Sequence, residues 1–360
     1  MHARSASNPP TPTEARPPRW RTALRIGFGI LLGGGAIWLV VNAAGGMGDA
    51  LDALARVDWW WLLPAGLFEG LAYVLSGVRL RRLAGPDRVS TSTATGIELV
   101  VNGLGLLTPA SPAEGLAFGA SELSRRGLDR RRVALTLGFS QWFSLRVFLL
   151  VNALNLFWIL ATRDFPVDST WALIAAPLVL VLLAVTAFLA SRPATMERLA
   201  VIVGAAQFWK PRANRDDRRA SGARFHADAM ALVGPPRRRV VLMGLSVGSM
   251  LADIACLYFV LIAAHSHVGF DVALLAAGAA AASGLIPLLP GGLGVVEAII
   301  PAVVHWYGPS LSAAFAGALV YRMVGTFLPA AAGAVAVVAL RAHRRDYRSR
   351  TNLIGTGSDH

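Results

Sequence analysis

The sequence predicts an all-α polytopic membrane protein of about eight membrane segments, including two Pro/Gly-broken hairpins, in two inverted repeats. Three observations predict it. Of the 360 residues 55% are hydrophobic, the mean hydropathy is +0.54, and several apolar runs exceed the roughly 18 residues that indicate a spanning helix. The basic residues cluster between those runs. The ionisable residues inside the runs recur in the same order in both halves of the chain. The net charge of +13 would suit nucleic acid, but its place in the connections is the positive-inside pattern, so nucleic acid is not an expected partner. The single cysteine, Cys256, lies in an apolar run and excludes an intramolecular disulfide framework.

Residues 1–21, rich in proline and arginine, read as a disordered cytoplasmic tail. The first membrane repeat covers 22–161. Its first span, 23–41, is long, has no small-residue cleavage pattern, and is expected to remain uncleaved. The tryptophans at 59–61 mark an interfacial belt. The second span, 59–78, carries Glu69 and ends at Arg79, Arg81 and Arg82. A short apolar arm, 95–107, carries Glu98 early and runs into TPASPAEG at 108–115. A second arm leads to the basic patch at 125–132. Both flanks are arginine-rich, so this first hairpin enters and leaves on one side. The span at 133–160 holds Arg146.

The first span of the second repeat lies within 162–190, and residues 191–239 form a basic cytoplasmic loop, a setting for anionic lipid headgroups. The remainder of that repeat fills 240–340. Its span at 240–264 carries Asp253, the second hairpin covers 272–307, and the last span, 312–340, contains Arg322. Residues 341–360 are a basic cytoplasmic tail. Of the 34 lysines and arginines, 30 fall on one side of this arrangement. That asymmetry puts both termini in the cytoplasm of a multi-pass protein in a bacterial-type inner or plasma membrane.

The chain is organised around residues 283–325. Here Pro287, Pro290, Gly291, Gly292 and Gly294 break an apolar run directly before Glu297. Proline removes a backbone donor and glycine loosens the helix, so the run is not expected to cross as one regular helix. Broken backbone at membrane depth is tolerated where protein buries it or where it lines a polar cavity. Pro301 leaves the Glu297 carbonyl without its usual helical donor. Arg322, on the following helix, is the only lysine or arginine between Glu297 and Arg341. A kinked helix with a buried ion pair is one reading. A substrate or ion site is the other, and it is the default for ionisable groups inside a membrane.

Orientation brings out three matched pairs. Glu69 and Asp253 lie on the second span of each half, Glu114 and Glu297 follow the broken turns, and Arg146 and Arg322 sit on the last spans. Inverted repeats with discontinuous helices are the architecture of alternating-access transporters. Pairing Glu114 with Arg146, and Glu297 with Arg322, would offset much of the roughly 2.5–3.5 kcal/mol that each isolated ion costs at the bilayer centre. Gly291, Gly292 and Gly294 offer free N–H groups for a phosphate. Without a P-loop lysine beside them they do not read as a nucleotide site.

The stretch PLLPGGLGVVEAIIPAVVHWYG, with ALVYRMVGTFLPAAAG after it, resembles the lysylphosphatidylglycerol synthase transmembrane (flippase-like) family. LLTPASPAEGLAFGASELSRRG resembles that family's first motif, with Ala110, Ser111, Pro112 and Ala113 in place of its glycine-rich form. The resemblance covers 23–340 and implies translocation of a phospholipid or lipid-linked headgroup. The headgroup would pass a polar cavity lined by Glu114, Arg146, Glu297 and Arg322, with Glu69, Asp253, Pro290, Gly291, Gly292 and Gly294 contributing. A lipid-modifying enzyme would then be a separate protein. Two other readings remain. A membrane-embedded transferase on a lipid-linked substrate lacks a nucleophile–base pair or metal-ligand cluster here. A non-transporting assembly partner would leave the buried charges dispensable. A transporter, not an enzyme, with no cofactor and no metal, is the expectation.

Overall fold

The structure, a computed structural model, describes residues 46–104, 112–163, 231–283 and 294–340, with positions 35, 38 and 42 besides. The expected spans at 171–190 and, but for two of those positions, 23–41 lie outside the described residues. So do most of the basic loop, both tails, and the turn with Pro290, Gly291 and Gly292. The regular structure described is all helical.

Helix α1 is Met47–Ala55. The three tryptophans form a 3-10 turn capped by Asp58, whose side chain accepts from the Trp60 N–H. This turn leads into α2, Leu62–Ala84. Helix α2 stops at Gly85, φ +114, a left-handed backbone that suits glycine after a helix end. It therefore runs six residues beyond the expected limit at Val78 and carries Arg79 inside the helical stack rather than on its flank. Helix α3, Thr91–Glu98, is N-capped by the Ser90 hydroxyl, which accepts from Thr93 N at 3.2 Å. It continues as a π-helix, Leu99–Leu104. Helices α4, Pro112–Arg125, and α5, Arg130–Thr162, complete the first half.

The second half repeats that order of lengths. Helix α6 is Pro236–Ala263, opened by a proline where no N–H is needed. Helices α7, Phe270–Ser283, and α8, Val296–His305, are short. Helix α9, Leu311–Arg322, passes through a π turn, Met323–Phe327, and stays helical to Leu340. Four helices, Trp59–Ala84, α5, α6 and Leu311–Leu340, are long and apolar enough to cross a membrane. The shortest of them has 26 residues, about 39 Å against a hydrocarbon core of about 30 Å. Helices α7 and α8, of 14 and 10 residues, reach only about 21 and 15 Å, so neither crosses alone. The order long, short, short, long thus occurs twice.

Hydrogen bonds fix the ends of the bundle. Arg88 Nη1 donates to the Gly127 carbonyl at 2.7 Å, and Arg238 donates to the Arg82 carbonyl. The α2–α3 turn, the α4–α5 turn and the start of α6 therefore share one end, rich in arginine. At the other end Asp58 N donates to the Ala263 carbonyl at 2.8 Å, and Arg163 meets Asp271 at 2.6 Å. Helices α2 and α6 run antiparallel, and the two short-helix pairs open at opposite ends. Each half has its own apolar core. Leu80, Ile97, Leu123 and Leu137 pack in the first, and Leu257, Leu261, Ile300 and Val304 in the second. Leu63, Leu67, Trp158 and Val335 stay exposed on the outside, as a lipid-facing surface requires.

Candidate functional site

Helix α8 begins just after Gly294, whose φ of +85 is a conformation that side chains rarely adopt. That turn aims the Gly294 N–H at Glu297 Oε2, 2.7 Å away. Glu297 thereby satisfies one of the orphan donors of its own helix start, where a negative charge is favoured. Its other oxygen, Oε1, accepts from Arg322 Nε at 2.8 Å. Arg322 Nη1 reaches Thr326 Oγ1 at 3.4 Å, inside the π turn that follows α9. Glu297 is 3% exposed and Arg322 6%. The pairing expected from the sequence is therefore present, between the short helix α8 and the last helix.

Its expected counterpart is not formed. Glu114 sits exposed in the first turn of α4 and makes no ion pair with Arg146. A carboxylate in a first helical turn is already favoured by the helix N-terminus and does not require a cation. Arg146 is half-buried, and its guanidinium stands 4.4 Å from the centre of the Trp142 ring one helical turn earlier. A cation–π contact takes the place of the carboxylate.

The first half instead builds its charged cluster from two residues that sequence reasoning did not place in the site. Arg79, on α2, and Glu98, at the end of α3, lie 3.9 Å apart and are almost fully buried. Ser140 on α5 bridges them, accepting from Arg79 Nε at 3.3 Å and donating to Glu98 Oε1 at 3.0 Å. Arg79 Nη1 donates to Ser246 of α6 at 3.0 Å, and Asn102 donates to Glu98 Oε2 at 2.7 Å. The signal was legible in Glu98. An acid within an apolar arm needs a partner, and Arg79 lies on the preceding span, although Arg88 is nearer in the chain.

Glu69 and Asp253, matched by order in the sequence, meet directly. They lie on α2 and α6 within hydrogen-bonding reach of each other. The Tyr321 hydroxyl donates to Asp253 Oδ1 at 3.2 Å. Further along the same contact Ser76 and Ser249 are 2.8 Å apart, and the Ser249 hydroxyl also donates to the Ala72 carbonyl at 2.9 Å. Ser246 and Arg79 follow. Polar groups thus form a seam between α2 and α6 from the acid pair to the Arg79 cluster. Tyr321 and Arg322, adjacent in sequence, join that seam to Glu297.

At the arginine-rich end a cavity of about 310 Å³ lies between Asp129, Arg131, Arg132 and Arg238. Pro290, Gly291 and Gly292 lie outside the described residues, so of the expected glycine turn only Gly294 is described.

Membrane-length helices, short helices in pairs and charged clusters sealed between them define an all-α, multi-pass membrane protein. Residues 26–333 match the family described as the lysylphosphatidylglycerol synthase TM region, and the chain belongs to that family. It is also similar to a UPF0104 membrane protein of Methanothermobacter thermautotrophicus, with 24% identity over 326 residues, covering 84% of this chain and 94% of that protein.

Proposed function

We propose that the protein translocates a phospholipid or lipid-linked headgroup across the bilayer, acting as a transporter rather than an enzyme. The observation that carries this reading is the Glu297–Arg322 pair, buried between the short helix α8 and a π-distorted helix. Apolar residues could fill that space without the desolvation penalty of two ions, so retained charge there argues for use. Arginine is suited to a lipid phosphate through its planar fork of donors, and the carboxylate to a cationic headgroup group. Exchange of the internal pair for headgroup partners offsets the cost of opening it. The arginine-rich end is read as cytoplasmic, with both termini on that side of a bacterial-type plasma membrane. Its cavity, with Arg131, Arg132 and Arg238, suits anionic headgroups gathering at the entrance.

The test uses the purified chain in vesicles containing fluorescent phosphatidylglycerol or phosphatidylethanolamine, with a membrane-impermeant quencher added outside. Protein-dependent loss of the protected inner-leaflet signal, without change in the lipid itself, supports translocation. Conversion of the lipid into a new product would point instead to a membrane-embedded transferase. Absence of both, with the buried charges dispensable, would leave a non-transporting assembly partner.

A further inference from the structure

Uphill movement of a lipid needs a coupled energy source, and the α2–α6 seam contains a group able to carry a driving ion. Glu69 is 4% exposed. It faces Asp253 at hydrogen-bonding distance, and neither carboxyl forms a salt bridge among the described residues. A carboxylate only accepts hydrogen bonds, so two in contact need a proton between them. The buried Glu69 Oε2 has no donor among the described residues, which leaves an acceptor whose need a bound proton meets. The other titratable groups facing the pair are Cys256 on α6, Tyr73 on α2 and Tyr321 on α9. Tyr321 already commits its hydroxyl to Asp253.

We propose that Glu69 and Asp253 form a proton-binding site whose loading and release drive lipid translocation. This rests on the translocation reading. The site joins the two halves of the bundle, since one acid comes from α2 and the other from α6, so any movement of one half against the other opens it. Closed, the pair retains one proton between two carboxyls. Opened to water, it releases that proton to the side then accessible. The serines at 76, 249 and 246 extend the polar seam from the pair toward the arginine-rich end. Tyr321 connects the pair to the neighbouring Arg322, which pairs with Glu297. Protonation at one site is thereby mechanically linked to the headgroup site.

Two measurements on the full chain test this. Infrared difference spectra at neutral pH should show a carboxylic-acid carbonyl band that is sensitive to deuterium exchange and absent from Glu69→Gln. In vesicles containing fluorescent phosphatidylglycerol and sodium-free buffer, a tenfold proton gradient should bias lipid distribution, up to about tenfold if one proton moves per lipid. Glu69→Gln and Asp253→Asn should lose that bias. Should either variant fail to fold, Tyr321→Phe, which removes the donor to Asp253, should still shift the band. The wild-type measurements stand without any variant. Absence of the band from the wild type overturns the proposal, and so does a lipid distribution that ignores the proton gradient or that instead follows a sodium gradient imposed in a separate run without a proton gradient. If the wild type moves no lipid under any condition, the translocation reading fails and coupling fails with it. The band then still reports separately whether the pair binds a proton.

Discussion

Arg322 gives Nε to Glu297 and Nη1 to Thr326, so truncating it leaves a carboxylate that is 3% exposed without its cation, held by the Gly294 N–H. Arg322→Ala should therefore lower stability by about 3–5 kcal/mol, the usual penalty for breaking a buried pair. Glu297→Gln keeps one oxygen to accept a hydrogen bond and should cost less, about 1–3 kcal/mol. Thermal unfolding in detergent checks both. Translocation should vanish in each, so the two variants separate in stability and not in function. A Glu297→Gln protein that still moves lipid would take the headgroup site elsewhere, to Arg79 and Glu98. The residue types in these sites were readable, but their partners only in part. Glu297 and Arg322 lie on consecutive apolar helices with no nearer lysine or arginine, and proximity in sequence sufficed. From the sequence Arg146 is expected to meet a carboxylate, because buried cations usually have one, although Trp142 stands four residues before it, the spacing that stacks side chains on a helix. Arg79 reads as part of the flank because it opens a run of arginines.

Helix boundaries show the same division. The ends of α2 and α6 followed local chemistry that the sequence displays, a glycine after the last turn at 85 and a proline at 236. Charge was the misleading cue, since arginines at a helix end do not always mark the membrane surface. The short helices α3, α4, α7 and α8 were legible as interrupted apolar runs. The π segments after Glu98 and Arg322 were not, because a wide turn has no residue signature of its own. Close helix contact was hidden too. An added Cβ at Gly77 of α2 would come within 2.7 Å of the Thr95 Cα on α3. Gly77→Ala must push the two helices apart, which separates Arg79 from Glu98 as well. A loss of about 1–3 kcal/mol is expected from overpacking, read as a lower unfolding temperature. At Gly294 the cause is different. Its φ of +85 makes Gly294→Ala strained by about 1–2 kcal/mol even where space exists. That strain acts on the turn that orients Glu297, so translocation should fall by more than stability does.

At the scale of the molecule, the matched order of charges in the sequence corresponds to an architecture in which the two short-helix pairs open at opposite ends. This separates residues that a simple helical stack would leave on one side. Asp49 and His267 are exposed, and the bonds from Asp58 to Ala263 and from His265 to Arg56 place their connections at one end. Asp87 and Asp129 are exposed at the other, where Arg88 binds the Gly127 carbonyl. Helices of 26 and 28 residues, α2 with its preceding turn and α6, separate the ends by about 40 Å, more than the hydrocarbon core. Single cysteines at the four positions, in a chain with Cys256→Ala, should therefore divide into two sets. An impermeant thiol reagent outside cells should reach Asp49→Cys and His267→Cys at once. Asp87→Cys and Asp129→Cys should react only after the membrane is opened, because arginine-rich connections remain in the cytoplasm. The reversed pattern would preserve the two-ended bundle and overturn the assigned orientation. Four cysteines reacting from one side would instead remove the opposed hairpins, and with them the reason to expect a site at the Glu69–Asp253 junction to open alternately to each side.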